Sequence, residues 1–191
     1  MNLIGITGLK TSGKDTTFEA IERITGDATR RAFADNLKAL GAKALGLRFD
    51  DMDILKERGE LAIGDSQGWN SPITGRQYLQ NLGVGAREVF GVGFWVDQVL
   101  PLDNFRLEEI WTENDRLPTW GVVTDVRFPN EAQRVLDLGG QVWEVVRPGL
   151  ESDGHASEIP LPREYITREI LNDASIHDLG LAVEHALRNW E

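Results

Sequence analysis

The chain has 191 residues, 41% of them hydrophobic, which suffices for one globular domain with a packed core and excludes a disordered chain. Asp and Glu number 31 against 20 Lys and Arg, and the net charge of -11 argues against general binding of DNA or RNA, which needs a basic face. The lack of cysteine excludes disulfides, thiolate nucleophiles and zinc ribbons. No basic segment precedes a long apolar run, so we expect no signal peptide or membrane anchor, and a cytoplasmic protein.

The chain opens with the pattern of a strand, a glycine-rich loop and a helix. Residues 3–7 form a short apolar run that ends at Gly8 and has the size of a buried strand. From Lys14 onward, Phe18, Ile21 and Ile24 recur at helical spacing. A glycine-rich loop is therefore predicted to join the first strand to the first helix.

The second half of the chain alternates strands with helices. Apolar runs predict strands over residues 120–124, 141–146 and 165–171. Helical patterns begin at Pro129, and after Ser175, which has the Asp three residues later that completes a capping box. Strands that alternate with helices imply an α/β fold with a parallel sheet.

The stretch at residues 35–117 is mostly helical and is too long for a simple crossover between two strands. Its helical patterns cover residues 35–45, 74–90, 95–100 and 105–111. We expect one domain over residues 1–191, with a core at 1–34 and 118–191 and this stretch as an inserted subdomain. Ligands in open α/β sheets lie at the carboxyl ends of the strands, so the insertion would form one wall of a substrate cleft.

The strongest chemical signal is the G-x-x-x-x-G-K pattern of a phosphate-binding loop, Gly8-Leu9-Lys10-Thr11-Ser12-Gly13-Lys14. Its glycines let backbone N–H groups turn toward phosphates, the following helix adds its positive end, and the lysine can reach the β- and γ-phosphates. The alternative is a chance glycine turn, which the flanking strand and helix disfavour. Asp15 stands where the strict pattern has a Ser or Thr that binds magnesium, and Thr16 comes only afterwards.

Two charged residues follow the strand predicted at 120–124. Asp125 ends that strand. In many phosphate-loop proteins, a carboxylate in this position holds or orients hydrated magnesium. Arg127 could point into the same cleft. The simpler alternatives are a turn or helix cap for Asp125, and a surface ion pair with Glu131 for Arg127.

Two competing classes of enzyme fit poorly. A GTPase would carry an N-K-x-D stretch for the base, which the sequence lacks, and the D-x-x-G segments at residues 65–68 and 137–140 follow no suitable strand. A metal hydrolase would need clustered histidines, whereas His155, His177 and His185 are not spaced as ligands. We interpret the latter two as surface residues.

Six stretches along nearly the whole chain share the order of one family's motifs. They are GLKTSGKDT at 8–16, FADNLK at 33–38, RQYLQNLG at 76–83 with its continuation to 96, TDVRFPNE at 124–131, HASE at 155–158, and NDAS at 172–175, where the family has Gly for Ala. Together they resemble the bacteriophage-type deoxynucleoside monophosphate kinases, relatives of dephospho-coenzyme A kinase and phosphomevalonate kinase among the phosphate-loop kinases. Asp15 is an expected residue in that family.

The resemblance implies transfer of the ATP γ-phosphate to a deoxynucleoside 5′-monophosphate, with Mg²⁺, to give the diphosphate and ADP for DNA precursor supply. It implies a three-layer phosphate-loop kinase fold with a helical substrate-binding insertion at 35–117 and a lid at 147–162. The expected partners are ATP and deoxynucleoside monophosphates, with no nucleic acid polymer and no membrane. A homodimer stays open, and a phage-encoded protein would act in the host cytoplasm.

The resemblance also assigns residues to roles. The ATP-binding residues it implies are Gly8, Lys10, Thr11, Ser12, Gly13, Lys14, Asp15, Thr16, Thr17 and Asn172. The candidate metal ligands among them are Asp15 and Thr16, and Asn172 would lie near the adenine. The substrate-binding residues it implies are Asp35, Lys38, Trp69, Arg76, Gln80, Arg87, Trp95, Asp125 and Arg127. The catalytic residues are Lys14, Asp35 and Arg127, and the lid residues are Arg147, His155 and Glu158.

Several assignments have a simpler alternative. Lys38 can be a solvated helix charge, and each arginine singly can form a surface salt bridge. Trp95 can pack in the core, because a tryptophan buries a large apolar area wherever it lies, and Gln80 can face solvent. The alternative functions are a kinase of another small phosphorylated acceptor, of the dephospho-coenzyme A or phosphomevalonate type, and a non-catalytic ATP-binding module.

Overall fold

A computed structural model of the protein describes residues 1–61, 73–151 and 159–190. The chain divides into two compact units, the first built from Met1–Phe33 with Val99–Glu191 and the second from Ala34–Gln98. In chain order the elements are β1 (Asn2–Thr7), α1 (Lys14–Thr25), β2 (Ala28–Arg31), α2 (Phe33–Ala44), α3 (Phe49–Arg58), β3 (Glu60–Leu61), β4 (Ile73–Thr74), α4 (Gly75–Phe90), α5 (Phe94–Asp97), α6 (Asn104–Trp111), β5 (Trp120–Val123), α7 (Pro129–Asp137), β6 (Gln141–Val146), β7 (Arg168–Leu171) and α8 (Ile176–Arg188).

The first unit is built on a five-stranded sheet in the order β2-β5-β1-β6-β7. Every pair in it is parallel, with Leu3 opposite Gly121 and Gly5 opposite Val142. The sheet confirms the predicted α/β class with a parallel sheet. Strand β1 lies at the centre, so the loop that follows it lies at the middle of the sheet's carboxyl edge.

Alternation along β1 divides the core between the two faces of the sheet. Ile4 and Ile6 are fully buried in a cluster with Val122, Trp143 and Leu179, which packs under α1 and α8. On the opposite face, a Cβ at Gly5 would lie 2.9 Å from Val126 and 3.0 Å from Val135, so α7 packs there against bare backbone. Helices therefore cover both faces and produce three layers.

The second unit contains α2 through α5 and a short antiparallel hairpin of β3 and β4. Its core is formed by Ala42, Met52 and Leu79. Gly75 permits a close approach of α4 to α3, because a Cβ there would lie 2.5 Å from the carbonyl oxygen of Leu55. The unit is thus a small helical body with its own apolar centre.

The observed boundaries differ from the predicted ones in three places, the first of which is the end of α5 at Asp97 instead of residue 100. The second unit ends at Gln98 instead of residue 117, so α6 belongs to the first unit. There Trp111 is fully buried, and its Nε1 donates to the carbonyl of Val99 at 3.0 Å. Strand β7 begins at Arg168, because residues 163–165 form a 3₁₀ turn in which the N–H of Tyr165 bonds to the carbonyl of Pro162. Among the described residues, no helix combines the length and apolarity needed to span a bilayer.

Candidate functional site

The loop between β1 and α1 has the backbone of an anion-binding turn. Gly8 and Gly13 have φ of 135° and 109°, values that favour glycine. Thr11 also lies in the left-handed region, with φ of 63°, which is uncommon for a β-branched residue and occurs mainly at functional sites. Such turns direct successive N–H groups into one concavity, where the N-terminal end of the following helix adds positive potential.

Lys14, the first residue of α1, places its ammonium group on this loop. Its Nζ donates to the carbonyl oxygens of Gly8 at 2.8 Å and Leu9 at 2.7 Å. The side chain folds back over the turn, so the positive charge lies beside the same concavity as the inward N–H groups.

Asn172 connects the loop to the far strand of the sheet. Its backbone N–H donates to the carbonyl of Val146 at 2.8 Å, and its Nδ2 donates to the carbonyl of Ser12 at 2.7 Å. A Cβ at Gly13 would lie 2.5 Å from that Nδ2, so glycine is required there for packing as well as for φ. The resemblance implied that Asn172 lies near the adenine; the contact that the structure shows is with the phosphate loop.

An open cleft of about 410 Å³ lies at the start of α1. Its polar lining consists of Thr11, Lys14, Asp15, Thr16, Arg147 and Asn172, and its apolar lining includes Ala174, Ile176 and Leu179. The volume and the mixture of apolar wall and charged groups are those of a small-molecule site. The cleft therefore brings together most of the residues predicted to bind ATP, with Arg147 from the predicted lid.

Four predicted ATP-binding residues differ in exposure. Lys10 and Thr11 are exposed, whereas Ser12 and Thr17 are 1% and 0% exposed. The Thr17 hydroxyl donates to the carbonyl of Gly13 at 2.9 Å, so it stabilises the first turn of α1. The Ser12 hydroxyl has no hydrogen-bond partner among the described residues. Direct contact of either hydroxyl with ATP stays a prediction.

A second, smaller cavity of about 30 Å³ lies beside Gly8, at the start of the loop. Arg127 lines it together with Glu144, whose side chain is 16% exposed and lies 3.4 Å from Nη1 of Arg163. Ile159 and Pro160, from the end of the predicted lid, complete the wall. Sequence reasoning missed Glu144, although a charged residue inside an otherwise apolar strand was a signal that could have singled it out.

The turn after β5 holds Asp125 and Arg127 at the carboxyl edge of the sheet. Oδ1 of Asp125 accepts a hydrogen bond from the backbone N–H of Phe33 at 2.8 Å, and Val126 is buried with its N–H bonded to the carbonyl of Ile6. Arg127 itself is exposed. The turn is thus fixed by main-chain contacts while the guanidinium extends from it.

The remaining candidates lie in the second unit. On α4, Gln80 and Arg87 lie 4 and 11 positions after Arg76, so the three residues share one face of that helix. Arg76 bonds to Glu57 at 3.1 Å. Asp35 lies in the first turn of α2 and is partly exposed.

Lys38 belongs to a group of charges between α2, α3 and α4. It forms an ion pair with Asp53 at 2.8 Å, and its Nζ lies 5.7 Å from the ring centre of Phe49. Partial burial, together with the positive charges of Lys38 and Arg76, lowers the pKa of Lys56. The sequence did not single out Lys56, which carries no motif.

Trp95 is buried in the second unit. It is 4% exposed, its Nε1 donates to the carbonyl of Gly83 at 3.1 Å, and its ring packs edge-on against Phe94. This placement favours the packing alternative, and stacking on a base stays a prediction. Trp69, His155 and Glu158 lie outside the described residues.

Asp15 and Thr16 offer a carboxylate and a hydroxyl to the cleft beside Lys14. Among the described residues, no three His, Asp or Glu side chains are gathered as a metal cage. Magnesium usually takes only one or two protein oxygens and completes its shell with waters and substrate phosphates, so this donor set fits magnesium that arrives with a nucleotide.

No protein-family model matches the chain. The chain is 31% identical over 172 residues to an Acanthamoeba polyphaga mimivirus protein named "Putative deoxynucleotide monophosphate kinase", a match that covers 84% of this chain and 82% of that protein. The fold of the present chain is similar to that of dephospho-CoA kinase from Campylobacter jejuni, with a TM-score of 0.51 and 14% identity. The match covers 98% of this chain and 96% of that one. The length and identity of the first match show that the chain belongs to the deoxynucleotide monophosphate kinase family.

Proposed function

We propose that the protein transfers the γ-phosphate of ATP to a deoxynucleoside 5′-monophosphate, and that it resembles the bacteriophage-type members in its motifs and role. The observation that supports this most is that the phosphate loop lines both cavities. Its later residues line the large cleft with Lys14, and its first residue, Gly8, lines the small cavity with Arg127. A donor phosphate in the cleft and an acceptor phosphate on Arg127 would thus both lie beside this loop.

The reaction needs no covalent enzyme intermediate. An oxygen of the acceptor phosphate attacks the γ-phosphorus of ATP, the bond from that phosphorus to the β–γ bridging oxygen breaks, and ADP leaves. Negative charge spreads over the equatorial oxygens of the moving group, so positioning and fixed positive charge supply most of the acceleration. Lys14 and the loop N–H groups provide that charge on the donor side.

The acceptor side is assigned to arginines and to the first turn of α2. Arg127 clamps the monophosphate, since a guanidinium pairs with phosphate through two parallel hydrogen bonds. In the second unit, Arg76, Gln80 and Arg87 share one helix face, and with Asp35 they are the candidates there for recognition of the nucleotide. Bound magnesium, held by Asp15 and Thr16, would neutralise charge on the β- and γ-phosphates.

The test is a screen of acceptors with the purified chain, ATP and magnesium, in which ADP release is measured. Deoxynucleoside monophosphates, ribonucleoside monophosphates and dephospho-coenzyme A are compared by kcat/KM. We expect a deoxynucleoside monophosphate to have the highest kcat/KM. If dephospho-coenzyme A has the highest value, it replaces the proposed acceptor. Absence of turnover with every acceptor would favour a nucleotide-binding module.

Lys14→Met provides the control for chemistry at the loop. It removes the ammonium group that lies on the carbonyls of Gly8 and Leu9, so kcat should fall by about 10²-fold or more. Because two hydrogen bonds to the loop are also lost, the melting temperature should fall by a few degrees while the chain still folds. Lys43→Met, at an exposed position in the last turn of α2, is the matched variant and should keep full activity. Equal activity of the two variants would reject the phosphate-loop assignment.

A further inference from the structure

Among the described residues, Glu131 is the only charged residue that is buried. It is 4% exposed and lies in the first turn of α7. Its Oε2 accepts hydrogen bonds from the backbone N–H groups of Arg127 at 2.7 Å and Phe128 at 3.1 Å. An ionised carboxylate is buried at great cost unless its oxygens are bonded, and here two N–H donors and the positive end of a helix compensate it.

These bonds fix the turn that carries Arg127. On one side, Val126 is 1% exposed and its N–H bonds to the carbonyl of Ile6 at 3.1 Å. On the other side, Glu131 holds the N–H groups of Arg127 and Phe128. The backbone of Arg127 is therefore clamped at two points while its side chain, which is long and rotamer-rich, extends toward the cavity beside Gly8.

We infer that Glu131 is a positioning residue for the acceptor phosphate: its carboxylate anchors the N–H of Arg127, and this directs the guanidinium to the cavity beside Gly8. The inference rests on the proposed function, because it takes Arg127 as the group that binds the acceptor. A bidentate contact tolerates little displacement, so a loosened backbone at Arg127 weakens the binding of the acceptor phosphate more than the binding of ATP.

The rival role is that of a helix cap alone. A carboxylate in the first turn of a helix stabilises it whatever the ligand. In that case, replacing Glu131 lowers the melting temperature and leaves the KM of the acceptor unchanged. Stability alone therefore does not separate the two roles, and the measurement has to compare acceptor with ATP.

Four variants of the full chain are compared: Glu131→Ala, Glu131→Gln, Arg127→Ala and the double variant. The acceptor is the deoxynucleoside monophosphate with the highest kcat/KM in the screen, and KM is measured for it and for ATP. We expect Glu131→Ala to raise the KM of the acceptor about 10-fold, and the KM of ATP less than about 2-fold. Glu131→Gln keeps an oxygen that accepts both N–H groups, so it should recover most of the loss.

The double variant identifies the route. If Glu131 acts through Arg127, then Glu131→Ala adds less than about 2-fold to the KM of the acceptor once Arg127 is alanine. Asp103→Ala is the control, since Asp103 caps α6 by accepting from the N–H of Arg106 at 2.8 Å. It should lower the melting temperature with both KM values unchanged.

Three results would overturn the inference. They are independent, multiplying effects in the double variant, an equal rise in both KM values, and a fall in melting temperature with the acceptor KM unchanged. Failure of both Glu131 variants to fold would also leave a structural role alone. If Arg127→Ala itself leaves the acceptor KM unchanged, the proposed role of Arg127 fails and the inference with it; if only the Glu131 variants are without effect, the inference fails by itself.

Discussion

Replacement of Asn172 by alanine tests how the phosphate loop is held in shape. The side chain makes one defined contact with the loop, from Nδ2 to the carbonyl of Ser12 at 2.7 Å. Its own backbone is fixed independently by the bond to Val146, so alanine removes the amide without releasing the strand end. Ser12 lies between Thr11 and Gly13, both of which have positive φ, and a freed carbonyl there lets the turn relax.

The size of the effect follows from the single bond that is lost. A partly buried, neutral hydrogen bond contributes about 1 kcal/mol, which corresponds to about a fivefold change in an equilibrium constant. We expect the KM of ATP to rise about fivefold, since the loop N–H groups lose their arrangement around the phosphates. The melting temperature should fall by about 2–4 °C, and the KM of the acceptor should stay within about twofold.

Two competitive inhibitors separate this role from an adenine contact. Inorganic tripolyphosphate engages the loop without a base, and adenosine engages the base pocket without phosphates. If Asn172 holds the loop, inhibition by tripolyphosphate weakens as much as ATP binding, and inhibition by adenosine is unchanged. The opposite pattern would refute the reasoning and assign Asn172 to the adenine. Asn189→Ala is the matched control, because Asn189 makes the same kind of bond, 2.7 Å from Nδ2 to the carbonyl of His185, at the far end of α8.

Asp15→Asn should raise the magnesium concentration needed for half-maximal activity with little change in melting temperature; a lower melting temperature with unchanged magnesium dependence would make Asp15 a helix cap. Thr11→Gly relieves a left-handed residue at a net gain of about 0.5–1 kcal/mol, so calorimetry should show a rise of about 1–3 °C, and a fall would contradict the strain. Hydrogen bonding from the Thr119 hydroxyl lowers the pKa of Asp27. The ionised carboxylate therefore stabilises the fold at a pH above its ordinary pKa, and this stabilisation is lost as the pH falls through the lowered pKa. Asp27→Asn should therefore lower the melting temperature at pH 7, and a difference that persists at pH 2 would reject this origin.

The centre of the fold could be predicted from sequence because its strands are buried on both faces. β1, β5 and β6 are short apolar runs bounded by glycine or a charged residue, and each was expected within about a residue of its observed range. The phosphate loop was equally visible, since glycine at positions 8 and 13 is required by positive φ.

Elements with little buried surface gave no such signal. Strand β2 has no fully buried residue along its length and is defined only by pairing with β5 at the edge of the sheet. Helix α3 places Met52 and the partly buried Leu55 against its neighbours, while its other positions are largely charged. Its four apolar residues lie among charged ones in a short segment, and this mixed pattern did not single out a helix, so α3 was not predicted.

The candidate site shows a second reason why sequence reasoning stops short. The sequence offered a magnesium contact or a turn or helix cap for Asp125, an ion pair with Arg127 for Glu131, and ATP binding for Asn172. In the structure, the bonds described for them go to main-chain groups of Phe33, Arg127 with Phe128, and Ser12.

Main-chain N–H and C=O groups are the same at nearly every position, so a pattern of residue types holds no information about which of them a side chain meets. That choice depends on how β1, β5 and β7 bring the ends of their loops together at one edge of the sheet. The side chains that contact ligand can therefore be read from motifs. The side chains that hold those motifs in shape across the sheet, such as Asn172 and Asp125, become identifiable only when the strand order is known, whereas Glu131 acts within its own turn.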